Sequence, residues 1–438
     1  MDVATSAAPA RSSTDHRLMD ALVISGGRPL AGRVAISGAK NAALPVMAAT
    51  LLAPGVHRLR NCPQLADTRT FGRVLEKLGA KLAFQKNECV IDTTGVNSVE
   101  APYELVKTMR ASIYVLGPLL ARFGAARVSL PGGCAWGPRP VNLHLTGLQA
   151  MGAPLEIDHG YITGKDVKLH GANFSFDVVS VGATAQLLMA AVLAEGVTVL
   201  DNVAIEPDIT VLGDVLAQCG AKIEGLGTRR LTITGVRSLQ PIDTAIIADR
   251  IEAGTFAAAA AMTGGTITLE RVVPDHFEAS LRKLEETGCT VVREVDEVTI
   301  TGPSRPRAVD VTTMVFPGFP TDMQAQMMAV ASIASGTSVI TDTIYLDRFT
   351  HVPELGRMGA NIELKGNVAV VKGVERLSGA PVMATDLRAS AALALAALVA
   401  DGETKISRIY HLDRGYEHIE QKLTGVGADV LRISQRGV

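Results

Sequence analysis

Two glycine markers recur in step along this chain, and their recurrence limits its possible folds more than any other feature. The first closes an apolar, Ala-rich stretch just before a strand-like run, and it returns at nearly even intervals, at Gly55, Gly124, Gly196, Gly265, Gly336 and Gly402. The second, in KLGAKL, AMGAPL, QCGAKI, ETGCTV, RMGANI and GVGADV, falls at Gly79, Gly152, Gly220, Gly288, Gly359 and Gly427. Glycine often ends a helix because the position after the C-cap takes positive φ, which glycine adopts at no steric cost. That explains each glycine singly, but two interleaved markers in six-fold register require a repeated unit. Each unit reads as helix, Gly stop, strand, loop, helix, Gly stop, then two short strands joined by a turn. The predicted fold is α/β, six βαβαββ modules of about 70 residues each.

The first helix of each module is nearly all apolar, as in TAQLLMAAVLA and AALALAALVA. Such a helix must be covered on every side. A solenoid needs polar caps at both ends, and none is evident, so closed pseudo-symmetric domains with helices inside and sheets outside suit the pattern better. The longest clean apolar run, Ala391 to Ala400, is about half a membrane span, so no membrane insertion is expected. Positions 1–17 carry Pro, Ser and charge without the apolar stretch of a signal peptide. They read as a disordered leader.

Composition removes further classes. Lys plus Arg number 42 against 44 Asp plus Glu, and aromatic side chains make up only 4% of the chain. A nucleic-acid partner, which would want a basic field and stacking rings, is not expected. Five cysteines, Cys62, Cys89, Cys134, Cys219 and Cys289, show no C-x-x-C spacing, which favours neither a disulfide framework nor a thiolate metal site. The nine His lack H-x-x-H or H-E-x-x-H spacing. Both observations fit a reducing, cytoplasmic setting and no metal.

One fixed step back from each glycine of the first set lands on Asn41, Arg110, Gly182, Ile251, Asp322 and Arg388, with Lys40, Ser180, Asp249, Arg250, Glu252 and Asp386 beside them. Helix N-termini carry free N–H groups and partial positive charge, so several that converge with added Lys and Arg make an anion site. Asp249, Asp386 and Ser180 also suit plain N-caps. Lys40, Arg110 and Arg388 do not, because a cation there opposes the helix dipole. Two loops add chemistry. LPGGCAWGPRPVNLH (130–144) has three Gly and three Pro around Cys134 and Arg139, the make-up of a functional surface loop whose thiol is accessible. RIYHLDRGYEHIEQKL (408–423) sets Arg408, His411, Asp413 and Arg414 in a strand-to-helix loop, where an Arg fork can grip phosphate or carboxylate. The other four cysteines read as structural.

At these residues the chain resembles the enolpyruvyltransferases. The likeness runs from about Leu22 to Ser434 and includes SGAKNAALP (37–45), PYELVKTMRAS (102–112), PGGCAWGPRPVNLH (131–144), SVGAT (180–184), DRIEAGTF (249–256), FPTDMQAQ (319–326), RFTHVPEL (348–355), ATDLRAS (384–390) and YHLDRGYEHIE (410–420). The resemblance implies a two-domain inside-out α/β barrel of three modules per domain. The expected domains are 18–39 with 248–438, and 40–247, the latter carrying the Cys134 loop. It implies transfer of the enolpyruvyl group of phosphoenolpyruvate to the 3-hydroxyl of UDP-N-acetylglucosamine, the first committed step of peptidoglycan synthesis, with no metal or organic cofactor and no obligate protein partner. By the same resemblance Cys134 would be the proton donor, able to form a covalent adduct and to react with fosfomycin, and Asp322 the base or the group that orients the hydroxyl. Lys40, Asn41, Arg139, Arg388 and Arg414 would hold phosphoenolpyruvate, with Lys40 and Arg414 also catalytic. Arg110, Arg139, Pro140, Val141, Asn142, Leu143, Ser180, Val181, Gly182, Asp322 and Ile344 would hold the UDP-sugar, and Asp249, Arg348 and Asp386 would line the cleft.

The chain departs from the common family pattern at Trp136, Val178 and Asn142, where many members carry Ile, Lys and Asp. Val178 and Asn142 lie where the acceptor would be read. The branch of the family that acts on shikimate 3-phosphate lacks a Cys-bearing loop of this kind. Two alternatives remain at this stage: transfer to a different nucleotide or nucleotide sugar, and a silent UDP-sugar-binding regulator.

Overall fold

The computed structural model describes residues 20–107, 109–130 and 141–434. Six four-stranded sheets carry the fold, and all six share one strand order. In the module of 173–234, strand Asn173–Ser175 runs parallel to Val197–Asp201 after crossing over through helix Val181–Ala191. A second helix, Pro207–Gln218, leads to Lys222–Glu224 and Arg230–Thr234, and the last of these sits antiparallel between its two neighbours. Parallel strands need such a helical crossover, whereas antiparallel ones need only a turn.

Three modules are completed from a distance. Strand Asp20–Ser25 lies between Glu403–Ser407 and Asp429–Ser434, so the chain start closes the last module. Strand Ala31–Ala35 pairs with Thr266–Glu270, and Asp243–Ala245 pairs with Val56–Arg60. The chain therefore crosses between two halves at 36–39 and returns at 246–249. The crossings bind each other: Ala39 N–H donates to Ile247 O at 2.7 Å and Asp249 N–H to Ser37 O at 2.8 Å.

Two buried clusters result, one drawn from 22–36 and 251–428, the other from 39–246. The apolar helices lie at their centres. Helix Arg250–Thr263 is buried without a break from Ile251 to Met262, and Leu387–Val399 from Arg388 to Leu398. Strands alternate instead, as in Thr266–Glu270, with one face inward and one outward. This is the expected α/β architecture, sheets outside and helices within.

Two sequence expectations change. Of the first glycine set, Gly124 alone caps its helix, in the left-handed region at φ 65°. Gly264 rather than Gly265 caps Arg250–Thr263, and Gly55, Gly196, Gly336 and Gly402 stand beyond helix ends, in turns that enter strands. Helix Leu387–Val399, for one, has already passed into extended backbone at Ala400. The second set are true stops, each directly following a C-cap. The other change concerns 130–144: Asn142–Ala150 is helical, with Val141 as its N-cap. His144, Gly147, Leu148 and Met151 are buried, the i, i+3, i+4, i+7 face of a helix, so Asn142 and Leu143 open a helix.

Candidate functional site

The helix starts fall where the glycine register set them: Lys40–Ala49, the tight turn Arg110–Val115, Val181–Ala191, Arg250–Thr263, the tight turn Thr321–Met323 and Leu387–Val399. Three caps are explicit. Asp249 accepts from the N–H groups of Ile251 and Glu252, Asp386 from those of Arg388 and Ala389, and Ser180 from that of Ala183. The capping reading of those three holds.

Asp322, in the tight turn Thr321–Met323, is gripped from both sides. Arg388 donates to one carboxylate oxygen and Arg348 to the other, each at 2.7 Å. Arg348 also donates to Thr321 Oγ1 at 3.1 Å. Burial alone would raise the Asp322 acid, but Arg388 and Arg348 outweigh it and hold the carboxyl well below its ordinary range. Arg388 is only 3% exposed. Its Nη1 lies 3.4 Å from the buried Tyr416 hydroxyl, which meets Thr255 Oγ1 at 2.9 Å and Gln326 Nε2 at 3.2 Å.

Lys40 comes from the other half of the molecule. Its ammonium stands 3.4 Å from Asp67 Oδ2, while Arg414 Nε donates to Asp67 Oδ1 at 2.9 Å. Burial lowers the Lys40 pKa, and the fields of Arg388 and Arg414 push it down further, against Asp67 and Asp322. Lys40, Asp322, Arg348, Arg388 and Arg414 thus form one cation-rich cluster with two carboxylates. Asn41 is exposed next to it in sequence.

A second group lies nearby. Burial, helped by the field of Arg110, lowers the pKa of His144 to about 4. A Cβ on Gly182 would stand 3.2 Å from His144 Nε2 and 3.8 Å from the Tyr114 hydroxyl. Burial pushes Tyr114 up to about 12, helped by Asp208 and, from the opposite half, Tyr345. Ile344, 38% exposed, follows a turn built by Asp342, which accepts from the N–H groups of Ile344 and Tyr345 and the hydroxyls of Thr313 and Thr321. Asp208 faces Arg250 across the halves at 3.7 Å. Burial, with Asp249, Glu206 and Asp322 adding to it, raises Asp208 to about 6 despite Arg250.

Cys134, Trp136, Arg139 and Pro140 lie outside the described residues. Asp413 and Arg408 turn elsewhere, to Arg432 and to the Tyr410 hydroxyl. Cys62, Cys89, Cys219 and Cys289 are buried free thiols. Among the described residues no group of three or more His, Cys, Asp or Glu is arranged to hold a metal, and no helix is long and apolar enough to cross a membrane.

Sequence reading missed Asp67, Asp208 and Asp342. A signal existed for two of them. One equal step forward from each glycine of the first set gives Asp67, Trp136, Asp208, Phe277, Arg348 and Arg414, a second register in which most of the described members belong to the site.

A fold of six like modules with a cation cluster between its halves defines a class, and comparison with known proteins agrees. The profile of the EPSP synthase (3-phosphoshikimate 1-carboxyvinyltransferase) family matches residues 24–423, and the chain belongs to that family. Within it, the chain is 56% identical to UDP-N-acetylglucosamine 1-carboxyvinyltransferase of Geobacter metallireducens over 95% of this chain and 100% of that one. It is 53% identical to the protein of the same name from Myxococcus xanthus, over 94% and 99% of the two chains. Among solved structures, the enolpyruvyl transferase NikO from Streptomyces tendae matches with a TM-score of 0.85 at 27% identity, over 95% of this chain and 99% of that one. EPSP synthase from Acinetobacter baumannii, at 17% identity and TM-score 0.74 over 95% and 100%, shares the fold.

Proposed function

We propose that the chain transfers the enolpyruvyl group of phosphoenolpyruvate to the 3-hydroxyl of UDP-N-acetylglucosamine and releases phosphate, the first committed step of peptidoglycan synthesis. The observation that carries this reading is the convergence of Lys40, Arg348, Arg388 and Arg414 around Asp322 and Asp67, in a chain more than half identical to relatives of that name. Two anionic groups on one small donor need fixed cations, and charge stabilisation in a site shielded from water is usually the largest catalytic effect. The two domains would be 18–39 with 248–438 and 40–247, with both substrates taken up between them. Free buried thiols suit the cytoplasm, where thiols stay reduced.

In this scheme Lys40, Asn41, Arg139, Arg388 and Arg414 hold phosphoenolpyruvate. Arg110, the 139–143 segment, Ser180 to Gly182 and Ile344 hold the UDP-sugar, and Asp249, Arg348 and Asp386 line the cleft. Cys134 delivers a proton to C3 of the enol as the sugar oxygen bonds to C2. The resulting tetrahedral adduct then loses a proton from C3 and phosphate from C2. Asp322 accepts a hydrogen bond from the 3-hydroxyl. Its depressed pKa makes it a weak base toward a free hydroxyl, so it orients the group first and takes the proton only as the new C–O bond forms and the oxygen turns acidic.

The test is phosphate release from phosphoenolpyruvate with either UDP-N-acetylglucosamine or shikimate 3-phosphate as acceptor. Release with the first only is expected. Release with the second only would overturn the assignment.

A further inference from the structure

A polar network ties the crossing strands to the site from behind. Ser37, on the first crossing, donates its N–H to Glu252 Oε2 at 2.7 Å and its hydroxyl to Glu417 Oε2 at 2.8 Å. Lys422 donates to the Ser37 hydroxyl at 2.7 Å and to Glu252 Oε1 at 2.6 Å. The second oxygen of Glu417 accepts the backbone N–H of Gln64, in the other half, at 2.9 Å. Ser37, Glu252 and Glu417 are all buried. Buried networks of this kind have one satisfied arrangement and resist others.

The spacing gives the network its meaning. Glu417 comes three residues after Arg414, and Gln64 three residues before Asp67. Two ties therefore join the halves side by side, Arg414 to Asp67 and Glu417 to Gln64, and the second is anchored on the crossing through Ser37. Beside them a groove of about 280 Å³ opens between Gln64, Ala66 and Arg69 on one half and Asp413, Glu417 and Glu420 on the other, so these two ties are the contacts that border it.

We propose that Glu417 is a positioning residue: held by Ser37 and Gln64, it fixes Arg414 against Asp67 and so presets the phosphoenolpyruvate half of the site. The inference rests on the function proposed above for Lys40 and Arg414. Lys422 already donates to the Ser37 hydroxyl, so that hydroxyl donates onward, and the carboxylate gives Ser37 and Gln64 a separate oxygen each. Glu417→Gln keeps the shape and loses one of the two acceptors.

The experiment compares the full-length protein with Glu417→Gln and Ser37→Ala. For Glu417→Gln the KM for phosphoenolpyruvate is expected to rise about tenfold, the scale of one weakened charge-assisted hydrogen bond. The kcat stays within about twofold and the KM for UDP-N-acetylglucosamine is unchanged. Ser37→Ala gives the same pattern more weakly and serves if the first variant does not fold. In both, amide hydrogen exchange without substrates quickens at 64–77 and 409–417 but not at 181–191. A folded variant with unchanged KM for phosphoenolpyruvate, or with both KM values moving together, overturns the proposal, as does unchanged exchange. Absence of phosphate release by the unaltered protein refutes the reaction instead, and the exchange measurement still judges the tie.

Discussion

At the scale of single residues, two carboxyls with opposite shifts make opposite demands on pH. Asp322 is held low, so its stabilising effect is present above the ordinary carboxylate range and is lost as pH falls through its depressed pKa. Asp322→Asn leaves Arg388, nearly inaccessible, without its counter-charge. We expect a loss of about 3 kcal/mol, the scale of breaking a buried pair from one side, and a drop of about 10²- to 10⁴-fold in phosphate release, read by urea denaturation and steady-state kinetics. Asp208 behaves the other way. Raised from 3.8 to about 6, it binds its proton more tightly folded than unfolded, so stability falls as pH rises between those values. Asp208→Asn should flatten the urea midpoint over that interval, and an unchanged slope would refute the assignment. The cations at helix starts were legible in the sequence because they defy the helix dipole. Asp67 had a signal only in the forward glycine register and was passed over, because an acid near a helix start looks like ordinary dipole matching and its partner Arg414 lies 347 residues away.

At the scale of elements, the two glycine sets proved to be different devices, and substitution should separate them. Gly427 ends helix Ile419–Gly425 at φ 99° with open space where a Cβ would stand. Gly427→Ala should cost about 1–2 kcal/mol through backbone strain and leave turnover intact. Gly38 is on the crossing, and a Cβ there would fall 1.8 Å from Asn61 O. Gly38→Ala must displace backbone and should lower both thermal stability and turnover, and wild-type values for both would contradict the close approach. The helix positions were legible since a nearly all-apolar stretch with a glycine shortly after it has few other readings. The misreading of the first set as stops has a plain cause: a turn into a strand and a helix end both call for positive φ, and the sequence marks them alike.

At the scale of the whole molecule, six modules and their closure into domains with helices inside were legible, and the strand exchange that completes the closure was not. A repeat count assumes neighbours in sequence, whereas three modules here borrow strands, from the chain start and across the two crossings. The exchange puts Lys40 and Asp67 on one half opposite Asp322, Arg388 and Arg414 on the other, so the cation cluster exists only when both halves are folded and joined. The composition concealed this: net charge is −2, yet Lys40, Arg348, Arg388 and Arg414 gather in one cleft around two carboxylates. The reaction proposed for that cleft also predicts that fosfomycin adds its mass to the peptide containing Cys134, and labelling confined to Cys62 or Cys89 would contradict it. The most direct test is to identify the product formed from phosphoenolpyruvate and UDP-N-acetylglucosamine by mass and proton resonance, beside Cys134→Ala. The account predicts one enolpyruvyl ether on the 3-oxygen of the sugar for each phosphate released, and little or none from the variant. Unmodified UDP-N-acetylglucosamine after incubation with the unaltered protein, or equal product from Cys134→Ala, would contradict it.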